Sequence, residues 1–163
     1  MLRVACALFW VVVTLFGRGV AAKSVCVVLQ HASKLSGQLI SVRGEWVENE
    51  EWAAVSGNCT FTLRAGGVDW PMSIELVNPK LGRANSAYRT SFQQAVSTIR
   101  GQREAGKKGT VLATFTGRLE TKDLRGITMG DGTVVQFGFG HGGVFPARLV
   151  LESVRDVIVQ ELK

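Results

Sequence analysis

The chain has 163 residues, 46% hydrophobic and 20% charged, with 19 glycines against 3 prolines and a formal charge of +6. Those proportions exclude a collagen-like repeat and a long disordered polymer, and the length suits one folded core rather than several. Three cysteines and two histidines set narrow limits on disulfide and metal chemistry.

Residues 1–22 read as a signal peptide. Arg3 is followed by an apolar run from Val4 to Phe16, and small residues at Gly19, Ala21 and Ala22 suit cleavage after Ala22. The run is too short for a spanning helix, which needs about 20 apolar residues. The expectation is therefore an exported chain, periplasmic or secreted, whose residues 23–163 form a single domain with no membrane span. Loss of Arg3 and Arg18 lowers the formal charge from +6 to +4, well short of the dense basic stripe of a dedicated nucleic-acid binder. Cys6 leaves with the leader. Cys26 and Cys59 remain as an even pair in an oxidising compartment and are expected to form a disulfide, with two buried thiols as the alternative. No C-x-x-C motif supports redox catalysis, and neither cysteine has the context of a lipid anchor.

Ser24 caps a predicted helix over 25–35, with Val25, Val28, Leu29, Ala32 and Leu35 at helical spacing. A strand follows over 39–46, with Leu39, Ile40, Val42 and Trp46 apolar and Gly44 marking a bulge or bend. Glu48 to Glu51 is a solvated loop, since acids at consecutive positions cannot converge on one ion. A second strand is expected over 60–64 with Phe61 and Leu63 inward, then a turn at Gly66-Gly67. The third runs over 68–76 with Val68, Trp70, Met72, Ile74 and Leu76 on one face; Pro71 suggests an edge. Asn78-Pro79 ends it. The period then changes, and Tyr88, Phe92, Ala95, Val96 and Ile99 share one face of a helix over 86–104. Gly106-Lys107-Lys108-Gly109 ends that helix. A fourth strand starts at Thr110, carrying Val111, Ala113, Phe115, Gly117 and Leu119 on one face. A loop at 123–126 leads to a hairpin, 127–129 with 134–139, whose tip is Gly130-Asp131-Gly132. The last strand runs from Ala147 to about Val159, with its alternation slipping near Glu152 to Asp156.

This order predicts a mainly β fold with some α: a small OB-like Greek-key barrel, with one N-terminal helix and one longer helix between strands 3 and 4. An open α+β sheet of six or seven strands is the rival, because the hairpin adds strands beyond five.

Three stretches carry a resemblance: Val42-Arg43-Gly44, Thr116-Gly117-Arg118-Leu119-Glu120, and the segment from Gly138 through His141, Phe145 and Pro146 to Val150. On these the chain resembles small exported OB-like proteins of soil bacteria, over most of residues 23–163. The resemblance implies export and the barrel; it brings no activity and no catalytic residue. The long helix and its basic end depart from the shorter members.

Gly138, Gly140 and Gly143 match G-x-G-x-x-G, but Phe145-Pro146 and an extended apolar run follow where a dinucleotide site needs a helix. A tight crossing of backbones accounts for the glycines better. His141, between glycines, is a candidate ligand contact or pH-sensitive group, or a residue that pins the loop. His31 is expected to be exposed. No zinc spacing and no G-x-S-x-G elbow are present, so no catalytic residue, metal or cofactor is assigned. Asn58-Cys59-Thr60 matches a glycosylation sequon but carries little weight beside a bridged cysteine. Arg43, Arg64 and Arg118, outward on their strands beside serine and threonine, are candidate ligand-binding residues with His141; a solvated arginine face is the plainer reading. Trp46, Phe61, Trp70 and Phe115 fall on inward positions, which argues against a base-stacking platform; Trp52 is placed near a rim.

The sequence therefore points to a non-enzymatic exported binding module for an envelope protein, glycan or small ligand. The alternative is an extracytoplasmic polyanion or single-stranded nucleic-acid binder. A hydrolase using His141 with Asp131 or Glu120 is a third, weaker reading.

Overall fold

The structure is a computed structural model and describes residues 21–77, 86–106 and 108–162. The expected leader up to residue 20, the strand end at Asn78-Pro79 and the Lys107 part of the helix stop lie outside the described residues, as does the side chain of Tyr88.

The chain is mainly β. A three-residue strand, β1 (Ala22–Ser24), runs into α1 (Val25–Gln30) and α2 (Ala32–Leu35). Ser24 caps α1 as expected, its side chain accepting from the Val27 amide at 3.3 Å. The single helix expected over 25–35 is broken at His31, whose φ of −117° leaves the helical region. Then follow β2 (Leu39–Glu48), β3 (Ala53–Ser56), β4 (Leu63–Ala65), β5 (Val68–Trp70), β6 (Ser73–Val77), α3 (Ser86–Glu104), β7 (Lys108–Thr121), β8 (Gly126–Thr128), β9 (Val134–Gln136) and β10 (Ala147–Leu162).

Six strands form one mixed sheet in the order β1-β2-β3-β6-β10-β7, and β2 pairs with β7 as well. Within it β2, β3, β6, β10 and β7 each have two of the others as neighbours. The β2–β3, β3–β6, β10–β7 and β2–β7 ladders are antiparallel and β6–β10 is parallel. β1 adds to β2 in parallel, Ser24 opposite Arg43. β4–β5 and β8–β9 are separate two-stranded hairpins.

Two expected strands come out differently, each for its own reason. The second strand was expected over 60–64, yet only Leu63 and Arg64 of that range are extended, in the β4–β5 hairpin; the main sheet takes Ala53–Ser56 instead. Ala54 and Val55 are both fully buried, so β3 is covered on both faces and shows no alternation. The third strand is cut at Pro71, which has no amide hydrogen for a ladder. Val68–Trp70 pairs with β4 while Ser73–Val77 joins β3 and β10, so Pro71 divides two sheets rather than marking an edge. The hairpin over 127–139 forms, but β9 stops at Gln136. Irregular register in β10 between Leu151 and Ser153, and between Arg155 and Ile158, falls where the alternation slips; Asp156 there takes a positive φ of 52°.

The core lies between the sheet and the helices. Val25, Val28 and Leu29 of α1 and Ala95, Val96 and Ile99 of α3 join Ile40, Val42, Trp46, Val55, Ile74, Phe115, Leu119 and Leu149 in one cluster. Phe92 meets Trp46 and Phe115 edge-on at 5.9 and 5.7 Å. Burying a side chain such as Ile99 stabilises the fold by about 1.5–3 kcal/mol. At Gly44 a Cβ would lie 2.6 Å from Val55 Cγ2 and 2.9 Å from Val25 Cγ2, so only glycine lets α1 seat against β2 there. The Cys26–Cys59 disulfide forms and ties α1 to the chain beyond β3. Among the described residues no helix is long and apolar enough to cross a membrane.

Candidate functional site

On the face of the sheet turned away from the core, ladder pairing sets four residues in a row across β3, β6, β10 and β7. Ala54 is opposite Glu75, Glu75 opposite Arg148, and Arg148 opposite Glu120. Arg148 Nε donates to Glu120 Oε2 at 2.5 Å. Two loops converge above this row.

The first loop joins β2 to β3. Asn49 Oδ1 accepts from the amides of Glu51 and Trp52, both at 2.9 Å, and the Asn49 amide donates to the Trp52 carbonyl. This tight asparagine turn fixes where Glu51 and Trp52 project. The second loop is the glycine segment between β9 and β10. Phe139 and Phe145 exchange backbone hydrogen bonds at 2.7 and 3.0 Å, and the Gly138 amide donates to the Gly143 carbonyl. Gly140, Gly142 and Gly143 hold positive φ angles of 75°, 70° and 67°, a backbone that side chains with Cβ disfavour. The segment is a compact loop entering the last strand beside its own earlier backbone, as the sequence suggests.

Trp52 packs edge-on against Phe145 with ring centroids 5.1 Å apart, and Phe145 is 2% exposed. His141 Nε2 lies 3.7 Å from Glu51 Oε2, both side chains largely exposed. Lys122 Nζ and Arg148 Cζ approach the Phe139 ring at 4.7 and 4.9 Å, within cation–π range. The loop passes so close to β6 that a Cβ on Gly140 would lie 3.2 Å from Glu75 Oε1. Burial raises the Glu75 carboxyl above its ordinary value, against the opposing pull of Arg148 and Lys122.

The four residues expected to bind ligand are distributed over three places. Arg43 and Arg118 share one face of β2–β7, because Arg43 pairs with Thr114 and Arg118 with Leu39. Arg43 Nη1 donates to Thr114 Oγ1 at 3.2 Å, and Arg118 Nη1 donates to the Gly37 carbonyl. Arg64 sits apart on the β4–β5 hairpin, 3.8 Å from Asp69. His141 belongs to the loop junction. The acids paired with it in the hydrolase reading are engaged elsewhere: Glu120 by Arg148, and Asp131 by the Thr133 amide, which holds its carboxyl below the usual range. Among the described residues no group of three or more histidine, cysteine or acidic side chains is placed to hold a metal ion. Trp46, Trp70 and Phe115 are buried as expected.

Sequence reasoning passed over Glu75, Lys122, Phe139, Phe145 and Arg148. Each is ordinary on its own strand or loop; the parity of Glu75 and Arg148 was the available signal, and only the ladder shows that they face each other.

The β8–β9 hairpin beside this junction presents Ile127, Met129, Val135 and Phe137 at 53%, 51%, 38% and 47% exposure. Ile127 opposes Val135 in the ladder, Met129 and Phe137 lie just beyond its ends, and Val134, at 46% exposure, faces the other way. Comparisons with protein-family models, with curated proteins and with solved structures each return no match.

Proposed function

We propose that the chain is an exported, non-enzymatic binding module of the bacterial envelope, built on an OB-like barrel. The barrel reading is supported by the circuit β2-β3-β6-β10-β7 returning to β2, with β6 and β10 parallel and α3 between β6 and β7 in the chain. Export is supported by the apolar leader in the sequence and by the disulfide, a bond that persists in oxidising compartments. Kinship with exported OB-like proteins of soil bacteria belongs to the same proposal.

The observation that carries the binding role is the apolar hairpin beside the loop junction. Large hydrophobic side chains gathered on an exposed hairpin have the composition of a protein-partner surface. An envelope protein is therefore the favoured partner. A photo-crosslinking residue at Phe137, in cells producing the full-length chain, is expected to give a discrete adduct in the extracytoplasmic fraction that the same residue at Arg103 does not. Retention of the chain in the cytoplasm overturns export; equal labelling from both positions overturns the surface.

The second reading, polyanion or single-stranded nucleic-acid binding, draws on Arg43 and Arg118 sharing the β2–β7 face. Its signature is binding of a labelled oligonucleotide that weakens steeply with salt. Flat fluorescence anisotropy at low and physiological salt removes it.

A further inference from the structure

Among the described residues, half-buried arginines lie beside acids, with one exception. Arg148 Nε lies 2.5 Å from Glu120 Oε2 and Arg155 Nε 3.8 Å from Asp156 Oδ2. Arg43 is half-buried as well, yet among the described residues no carboxylate comes within ion-pair distance of it. Its two hydrogen bonds, to Thr114 Oγ1 at 3.2 Å and to the Asp156 carbonyl at 3.4 Å, both use Nη1. Nε and Nη2 of a five-donor fork are left without a partner among the described residues. Those donors are open to an acceptor from solution.

Beside Arg43 lies an open hollow of about 430 Å³. Its origin lies in the ladders. Ser24 of β1 is the last residue to pair on that side of β2, opposite Arg43, and β3 takes over only at Ser56, opposite Glu45. The two strands hand over at Gly44, which is itself buried against Ser56 and Val55, and the pocket lies along that seam. Ser24, Arg43, Glu45, Ser56, Asn58 and Leu112 contribute to its wall. The Cys26–Cys59 bond joins the two sides, since Cys26 also lines the pocket and Cys59 follows Asn58.

We infer that this pocket binds a saccharide bearing one carboxylate. Arg43 offers the guanidinium fork that matches a carboxylate. Asn58 supplies an amide for sugar hydroxyls, Ser24, whose Oγ accepts from the Val27 amide, supplies a hydroxyl hydrogen, and Leu112 supplies an apolar wall for the carbon face of the ring; the Ser56 hydroxyl is engaged by β6, donating to the Met72 carbonyl and accepting from Ser73. Glu45 restricts the class further. Its carboxylate already accepts from Thr110 Oγ1 at 2.6 Å; it can take a hydroxyl donor, whereas a second negative charge on the ligand meets repulsion. The pocket thus favours a singly charged, hydroxyl-rich molecule over inorganic phosphate or a polyanion. It shares no lining residue with the loop junction or the exposed hairpin.

Isothermal titration calorimetry of the disulfide-bonded chain with glucuronate, glucose and inorganic phosphate tests this. Glucuronate is expected to bind saturably, with glucose and phosphate each weaker by about tenfold or more, the size of one lost charge-assisted contact. Arg43→Gln should reduce glucuronate affinity to that of glucose, while Arg103→Gln, a charge-matched change on α3, should leave it unaltered. Glucuronate failing to bind, glucose binding equally well, phosphate displacing glucuronate at equal concentration, or Arg43→Gln binding glucuronate normally would each overturn the assignment. The selectivity series uses the unaltered protein, so the result stands even where a variant folds poorly.

Discussion

Two outward faces of the same sheet are finished in different ways. On β2–β7 the short polar residues close the surface themselves: Ser41 Oγ and Thr116 Oγ1 pair across the ladder at 2.8 Å, and Ser41 and Thr114 are buried. The long residues remain at the surface, Leu39 at 43% exposure and Arg118 exposed. On β3–β6–β10 a remote segment does the closing. Phe145 buries itself beside Trp52, and the glycine loop passes over Glu75. Both faces show polar residues at outward positions in sequence. Alternation therefore reports which way a side chain points, and coverage is decided by what the rest of the chain lays over it.

The sharpest way to break this contrast is to remove the anchor of the covered face. Phe145→Ala deletes a ring that is 2% exposed and should cost about 3–5 kcal/mol in urea denaturation. Leu39→Ala on the other face should stay within about 0.5 kcal/mol. Equal costs for the two would mean that the loop rests on the sheet without packing, and the contrast would collapse.

Next in size is the backbone of the loop. A Cβ at Gly138 would run into the carbonyls of Phe145 and Gly143 and lie 2.6 Å from Trp70 Cζ3. Gly138→Ala should therefore cost about 1–3 kcal/mol. Gly130, at the hairpin tip, has nothing within 4 Å of such a Cβ; Gly130→Ala should be neutral within about 0.5 kcal/mol. Thermal melts of the two variants side by side measure the difference.

These effects explain how much the sequence made legible. Helix α3, the long strands, the disulfide pair and the inward tryptophans follow from periodicity and cysteine count, because each is a local pattern or a small arithmetic constraint. β3 escaped because Ala54 and Val55 are buried on opposite faces and so carry no alternation. The strand expected over 68–76 failed at Pro71, where one missing amide hydrogen outweighs a clean hydrophobic stripe. At the site, His141 and the glycines stood out by composition. Glu75, Arg148 and Phe145 did not, since their significance comes from the β6–β10 pairing and the loop crossing, which join residues about 70 positions apart.

Glu75 offers a smaller test, in pH. Its carboxyl is raised by burial, with Arg148 and Lys122 pulling the other way. A raised carboxyl binds its proton more tightly in the folded chain than in the unfolded one. Its contribution to stability is greatest at acid pH, falls as pH rises through the ordinary carboxylate range towards the folded value, and stays low above it. Glu75→Gln should flatten that slope and leave the protein no less stable at neutral pH. Urea midpoints at acid and neutral pH measure it; a slope unchanged by the substitution would mean that the loop does not desolvate Glu75.

The smallest effect belongs to the most conspicuous residue. His141 meets Glu51 at 3.7 Å, with side-chain exposures of 72% and 56%. An imidazole contributes charge there only when protonated, and exposed ion pairs are worth about 0–1 kcal/mol. Trp52–Phe145, in the same junction, excludes water and adds an edge-on aromatic contact worth about 0.5–1.5 kcal/mol beyond its buried area. The junction should therefore be held by the rings, with the charged pair riding on top. His141→Ala is expected to change the urea midpoint within error at neutral pH and to leave Trp52 fluorescence unshifted, whereas Phe145→Ala should shift that emission to longer wavelength as the indole meets water. A red shift from His141→Ala would reverse the order and make the imidazole the clasp that sets the aromatic pair.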